Sequence, residues 1–371
     1  MKPKIVHIID TFTKGGAEIL LVGSIPELTD FEHHVIYLYP TKTPIVNYIP
    51  GIEDIICLNY TGPLDSIRII KELNNYISIH KPTIIHTHLY FSSIYIRFVR
   101  IENIQVIQTY HNKYYRIKYP KFKARISKQL MKLVDRYSQN KKFIIIHVSK
   151  TQQAANDLDV NITSSEVMYN YIEDVFYKER NNLPTTFKRK LNIISVGNLK
   201  TEKNHIVFLE ALRQLRHISL HVNICGHGID EHMLQAYVNK YNLPVTFLGS
   251  KENISELLDQ HDLFVSCAII EGFGISVAEA MAAELPLLIS DIPTLKEITN
   301  NKSVYFNASN ATDLAQKIEF FYLNPTTINQ TVKDCKVIAL NYKKSIYLEA
   351  LDTLYKKIIS DYASSCKHSL K

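Results

Sequence analysis

Short apolar runs alternate with stretches of helical period along nearly the whole chain. Ile5–Ile9, His34–Tyr39, Thr83–His88, Ile104–Tyr110 and Phe143–Val148 each read as a buried strand, and a helix is predicted over Leu64–Ile79. Glu166–Tyr169 leads into Asn170-Tyr171-Ile172. After a break, a second series begins: Leu191–Val196, His221–Cys225, Val245–Leu248, Leu263–Ile270 and Leu287–Ser290. Strands that alternate with helices predict doubly wound parallel sheets. The break, 181–189, has no apolar period and contains Pro184, so it reads as a linker. The expected organisation is an N-terminal domain over 1–180, the linker, a C-terminal domain over 190–344, and a last amphipathic helix, about Ser345–Asp361 in the 345–371 tail, that closes back on the N-terminal domain.

The length of 371 residues suits two such domains, and 46% hydrophobic with 21% charged residues is a globular composition. No apolar run is long enough to span a bilayer. The first apolar stretch follows Lys2-Pro-Lys4 and is too short for a signal peptide. The cysteines (57, 225, 267, 335 and 366) are scattered without metal-ligand spacing, which reads as reduced thiols in a cytoplasmic protein.

Within these strands the polar residues collect at the C-terminal ends, where doubly wound sheets bind ligands. The densest stretch is Glu271-Gly-Phe-Gly-Ile-Ser-Val-Ala-Glu279. It predicts a tight strand-to-helix turn, with Gly272 and Gly274 allowing close backbone approach and the helix start offering amides to phosphate. Two carboxylates beside a phosphate cradle suggest a nucleotide-sugar. The plainer alternative is a capping box, Ser276-x-x-Glu279, with Glu279 reaching back to the cap amide. Asp10–Glu18, with Gly15-Gly16, has the form of a glycine-rich turn between a strand and a helix. His86, His88 and His111 also stand at strand ends; no acidic partner at helical spacing supports a metal site there.

The net charge of +7 is local. Lys113–Lys132 holds eight basic residues and no acidic one, which leaves 7 − 8 = −1 for the rest of the chain and argues against a nucleic-acid-binding face. In Lys121–Arg136, Phe122, Ile126, Leu130, Leu133 and Val134 share one helical face, and Lys121, Arg125, Lys128, Lys132 and Arg136 line another. Either this helix lies on an anionic membrane, with Lys118, Lys121, Lys123, Arg125, Lys128 and Lys132 as the contact surface, or its apolar stripe packs on the core and the lysines are solvated.

Taken in order, these landmarks resemble a GT-B-fold retaining glycosyltransferase of family four, glycosyl transferases group one, whose hallmark is E-x7-E. Glu271 and Glu279 stand at that spacing. Gly15-Gly16-Ala-Glu18 resembles the family's N-terminal glycine loop. Val196-Gly197-Asn198 with Glu202-Lys203-Asn204 resembles its phosphate clamp. Gly226-His-Gly228 and Phe247-Leu-Gly249 resemble the loops around the nucleotide, and Asn170-Tyr171-Ile172 the family's Asn-Gly-Val/Ile turn. The resemblance implies two facing Rossmann-like domains with a cleft between them and the C-terminal helix crossing back.

It also implies roles. Glu279 would bond the ribose hydroxyls. Amides of Phe273, Gly274 and Ile275 would hold the diphosphate, with Gly16 from the opposite domain. Lys203 would neutralise the leaving diphosphate, Glu271 would bind hydroxyls of the transferred sugar, and His111 would lie beside that sugar. Gly15, Asn198, Gly226, Gly249 and Ser250 complete the implied donor site. The family's clamp usually carries Arg where this chain has Asn198, and its Asn-Gly-Val/Ile turn has Gly where this chain has Tyr171.

The expectation is a retaining transferase, without metal or cofactor, that moves sugar from a nucleotide diphosphate donor, UDP first, to a glycan or lipid-linked acceptor in cell-surface polysaccharide synthesis. It would be cytoplasmic or peripheral on the inner membrane face, with no nucleic-acid partner. The alternatives are a degenerate non-catalytic GT-B protein that binds a partner or glycan, and a nucleotide-sugar epimerase or hydrolase on the same fold.

Overall fold

The computed structural model describes residues 2–41, 49–116, 122–180 and 190–368, the side chains of 122–124 and 362–368 excepted. The chain divides into two compact units: Met1–Asn170 with Ser345–Lys371, and Tyr171–Lys344. The predicted linker 181–189 lies outside the described residues.

In the N-terminal unit the strands are β1 (Lys4–Ile9), β2 (Glu32–Tyr37), β3 (Ile52–Cys57), β4 (Ile84–His88), β5 (Gln105–Tyr110), β6 (Ile144–His147) and β7 (Glu166–Val167). They form one sheet in the order β3-β2-β1-β4-β5-β6-β7, with every pairing parallel. Both faces are covered, which is why these strands are apolar without strict alternation. Val6, Ile8, Ile36, Ile85 and Val106 pack under Ile69, Leu73 and Ile77 of the helix Ser66–His80. On the other face Ile5, Ile84, Ile107 and Ile146 pack under Leu351, Tyr355 and Ile358 of the helix Lys344–His368. Strand β3 is absent from the sequence reading because Glu53 and Asp54 interrupt its apolar run; it lies at the edge and is only half buried.

The C-terminal unit holds β8 (Leu191–Val196), β9 (Leu220–Cys225), β10 (Val245–Gly249), β11 (Leu263–Ser266), β12 (Leu287–Ser290) and β13 (Val304–Phe306), ordered β10-β9-β8-β11-β12-β13. Its core joins Leu191, Ile193, Val222, Ile224, Leu263 and Val265 to Phe208 and Leu212 of the helix His205–Gln214.

The expected domain boundary at 180 is corrected. Residues 171–180 belong to the C-terminal unit because their polar groups bond within it. Tyr177 donates to the Ala339 carbonyl at 2.9 Å, Lys178 pairs with Asp259 at 2.6 Å, and Arg180 donates to the carbonyls of Asp259 at 3.0 Å and His261 at 2.5 Å.

In each sheet the strand order reverses once, between β1 and β4 and between β8 and β11. The loops that leave the two strands at a reversal turn to opposite sides and open a crevice at the carboxyl edge, where such sheets bind ligands.

Candidate active site

In the C-terminal unit the reversal places the loop after β8 beside the loop after β11. Strand β11 ends at Ser266, short of the expected Ile270, because its pairing with β8 stops at Phe264 and its pairing with β12 at Ser266. Residues 267–274 then run as a loop. The Ile269 amide donates to the Glu202 carbonyl at 2.9 Å, and this ties the two loops together. Lys203 Nζ forms an ion pair with Glu271 Oε1, with the carboxylate mostly sequestered from solvent. Thr294 Oγ1 donates to the Glu271 carbonyl at 3.1 Å and fixes the backbone beneath the pair. The two residues singled out as cation and sugar-binding carboxylate, 68 positions apart in sequence, therefore meet.

Gly274 caps the helix Ile275–Ala282 in a left-handed conformation, φ +101°, and no side chain caps the helix. A Cβ on Gly274 would stand 2.9 Å from Leu295 Cδ2, so both backbone and space demand glycine. The capping box does not form: Ser276 lies inside the first turn rather than at the cap, and among the described residues Glu279 has no side-chain hydrogen bond or ion pair. Burial pushes the Glu279 carboxyl up to about 7. A half-buried carboxylate with a raised protonation range and no cap duty is a candidate site residue. Phe273 is itself core, edge-on to Tyr342 at 5.1 Å between ring centroids, so only its backbone is offered.

The remaining loops of this edge are held together by backbone. The Gly197 amide donates to the Cys225 carbonyl at 2.9 Å, Leu199 to His227 at 2.9 Å, and Gly226 to Gly249 at 2.9 Å. A Cβ on Gly226 would lie 2.1 Å from the Gly197 carbonyl oxygen, and one on Gly228 2.1 Å from the Leu199 oxygen. These glycines let three loops stack without side chains between them. Asn198 and Ser250 are exposed on this edge. His205, absent from the sequence-predicted set, is buried behind Lys203 with its Nδ1 unpartnered, and burial pulls its imidazole down to about 4.

At the N-terminal unit's own edge, Gly15 precedes the helix Gly16–Ser24. Glu18 folds back over Gly15 and accepts from Thr11 Oγ1; a Cβ on Gly15 would meet Glu18 Oε2 at 2.3 Å. Asp10, which sequence reasoning left as a loop residue, is buried and receives the amides of Tyr90 at 3.1 Å, Phe91 at 3.0 Å and Ser92 at 2.7 Å. Desolvation raises its carboxyl to about 6 against those three donors. Its place at the end of the first strand was the available signal. His111 stands just past β5, half buried, its imidazole drawn down to about 4 by burial.

The basic helix Phe122–Tyr137 is turned the opposite way from the packed alternative. Ile126, Leu130, Leu133 and Val134 are exposed, with Leu130 at 61%. Lys132 instead pairs inward with Asp159 at 2.7 Å, and Lys128 donates to the Tyr115 carbonyl at 3.3 Å. Asp135, fully buried, pairs with Arg97 at 2.6 Å and accepts from Tyr115 at 2.6 Å. Arg125 is exposed; Lys118 and Lys121 lie outside the described residues, as does the Lys123 side chain. Among the described residues, no helix is long and apolar enough to cross a membrane.

Two family models match the chain, one directly after the other: Glycosyltransferase Family 4 over residues 14–177 and Glycosyl transferases group 1 over 178–338. The chain is 30% identical over 119 residues to the N,N'-diacetylbacillosaminyl-diphospho-undecaprenol alpha-1,3-N-acetylgalactosaminyltransferase of Campylobacter jejuni, covering 32% of each. The chain spans less than half the length of the curated relatives it matches first. Among solved structures, sucrose-phosphate synthase from Thermosynechococcus elongatus superposes with a TM-score of 0.81 at 16% identity, covering 96% of this chain and all (100%) of that one. HepE from Anabaena, solved in complex with UDP, gives 0.75 at 17% identity over 95% and 100%. At such identities these structures speak for the fold, the two-sheet GT-B architecture. With both halves matched in order on that fold, the chain belongs to the group 1, family 4 glycosyltransferases.

Proposed function

We propose that this protein is a retaining glycosyltransferase that takes a sugar from a nucleotide diphosphate, UDP first, and passes it to a glycan or lipid-linked acceptor in cell-surface polysaccharide synthesis. The observation that carries the reading is the edge of the C-terminal sheet. An uncapped helix start, the Lys203–Glu271 pair and the Glu279 carboxylate, partnerless among the described residues, lie along one strand-order reversal. The amides of Gly274 and Ile275 receive the diphosphate. Glu279 accepts from the ribose hydroxyls. Lys203 is shared between Glu271 and the diphosphate, and its charge counts most as the leaving group gains negative charge in the transition state. Glu271, paired with Lys203 through Oε1, holds hydroxyls of the transferred sugar with the rest of its carboxylate. The roles of Gly15, Gly16 and His111 rest on the family resemblance, as does the absence of a metal requirement. UDP in the HepE complex and the diphospho-undecaprenol in the relative's name favour that donor and a lipid-linked acceptor.

The outward apolar stripe at Ile126, Leu130, Leu133 and Val134, with exposed Arg125 beside it, suits an anionic membrane surface, where lipid-linked acceptors reside.

The test is a thermal-shift panel of UDP, GDP, ADP and their sugars, followed by transfer to lipid-linked acceptors. A ligand that binds only the folded state stabilises it by about 2.7 kcal/mol at a hundred times its Kd. One nucleotide should shift the wild type and fail to shift Lys203→Ala and Glu279→Ala, and Glu271→Ala should bind that nucleotide yet not transfer sugar. No shift with any nucleotide would favour the non-catalytic GT-B alternative. Donor consumed without acceptor would favour an epimerase or hydrolase.

A further inference from the structure

We infer that a file of four imidazoles, His33, His7, His88 and His111, crosses one face of the N-terminal sheet and fixes the tautomer of His111. His33, His7 and His88 are positioning residues that act on it through hydrogen bonds. The inference rests on the reading of His111 as a residue that contacts the sugar.

Strand register assembles the file. His33 of β2 lies opposite Ile5 of β1, and His7 of β1 lies opposite His86 of β4. Residues two apart on a strand share a face, so His7, His33 and His88 sit together. His88 is opposite Thr109 of β5, and His111 follows two positions on, continuing that face past the strand end. His33 Nε2 contacts the Leu28 carbonyl at 3.0 Å, and His33 Nδ1 contacts His7 Nε2 at 3.0 Å. His7 Nδ1 is 3.4 Å from His88 Nε2, and His88 Nδ1 is 3.5 Å from His111 Nε2.

The direction of the file follows from one group. A carbonyl only accepts, so His33 must carry its proton on Nε2. A neutral imidazole has one donor and one acceptor, so His33 Nδ1 accepts from His7 Nε2. The same step repeats through His88, and His111 must donate from Nε2. His111 Nδ1 is thereby left as a bare acceptor, suited to a sugar hydroxyl that donates. The logic requires neutral rings. His7, His33 and His88 are at most 4% exposed, and burial together with neighbouring imidazoles holds their protonation below the usual range. A protonated ring would donate from both nitrogens and meet a neighbour's donor.

A metal is the rival explanation, because His7, His86 and His88 bring ring nitrogens within 4.8 Å of one another. His86, however, has both nitrogens engaged: Nδ1 with Tyr355 Oη at 2.7 Å and Nε2 with Thr109 Oγ1 at 2.7 Å. A divalent ion there would have to break one of these contacts in a buried site formed by three neutral ligands.

The test is nitrogen-15 NMR of the full chain with labelled histidine, at neutral pH and without ligand, which reads the tautomer of each ring. All four rings should be neutral with the proton on Nε2. A proton on Nδ1 of any of them, an imidazolium in the file, or stoichiometric zinc in the purified protein with its spectral signature at His7 and His88 would overturn the inference, whatever the enzyme does. His33→Phe removes the anchor at the far end from His111; the Nδ1-protonated form of His111 should then appear. Transfer kcat should fall about tenfold with donor KM unchanged. His33→Gln, whose amide keeps an N–H donor for the Leu28 carbonyl and an oxygen acceptor for His7, should restore both. An unchanged His111 tautomer in folded His33→Phe would overturn the relay, and the NMR readout decides even if no donor is turned over.

Discussion

The two sheets build their carboxyl edges from different materials. In the C-terminal unit the edge is backbone: Gly197, Gly226, Gly228 and Gly249 stack loops by amide–carbonyl bonds, and few side chains intrude besides Lys203, Glu271 and Glu279. In the N-terminal unit the interior and edge are side chains: a file of histidines, Asp10 over three amides, and Arg97 with Asp135. A backbone edge offers amides and carbonyls whatever the neighbouring side chains, and fails by steric intrusion. A side-chain edge can be varied residue by residue and fails by leaving polar groups unsatisfied.

The sharpest way to break the comparison is Asp135→Ala. It strands the Arg97 guanidinium in a fully buried site and should cost about 3–5 kcal/mol, confined to the N-terminal unit's unfolding transition in urea. A loss under about 1 kcal/mol would mean that unit does not depend on its buried polar pairs. Next is Gly226→Ala, whose Cβ would lie 2.1 Å from the Gly197 oxygen at φ +135°. Overpacking against backbone should cost about 1–3 kcal/mol in the C-terminal unit's transition and weaken nucleotide binding. Gly15→Ala meets only the movable end of Glu18 and should cost less.

Glu279 sharpens the comparison through pH. Burial pushes its folded carboxyl up to about 7, above the ordinary 4.5. The unfolded chain therefore releases this proton first, and the group's contribution to stability falls as pH rises from 4.5 to 7, then levels off. The decline should be on the order of 1–2 kcal/mol, since partial exposure screens the full shift. Glu279→Gln should remove that slope in thermal melts across pH and be the more stable form above pH 7. The smallest stability effect belongs to the exposed stripe. Leu130→Asn with Leu133→Asn should leave stability within about 0.5 kcal/mol, yet reduce sedimentation with anionic vesicles. Unchanged vesicle binding would remove the membrane reading of this face.

The buried strands were legible because parallel strands covered on both sides must be apolar, and Ile5–Ile9 or Leu287–Ser290 have no other use. Strand β3 was not, since an edge strand with Glu53 and Asp54 lacks that signature. The 276–279 capping pattern was legible and misleading, because Gly274 takes the left-handed cap two positions earlier and leaves Glu279 without that duty. The amphipathic period at 122–137 was also legible, but not its direction; the pull of Arg97 on Asp135 turned the polar side in.

The sequence by itself determined the two doubly wound sheets, the glycine loops and the family, because these follow from local period and from residue order along the chain. Only the tertiary structure decided that Lys203 meets Glu271, that 171–180 joins the C-terminal unit, and that four histidines from β2, β1, β4 and the end of β5 stand in file. Those are contacts between distant segments. They are set by strand order and register, which apolar periodicity leaves open.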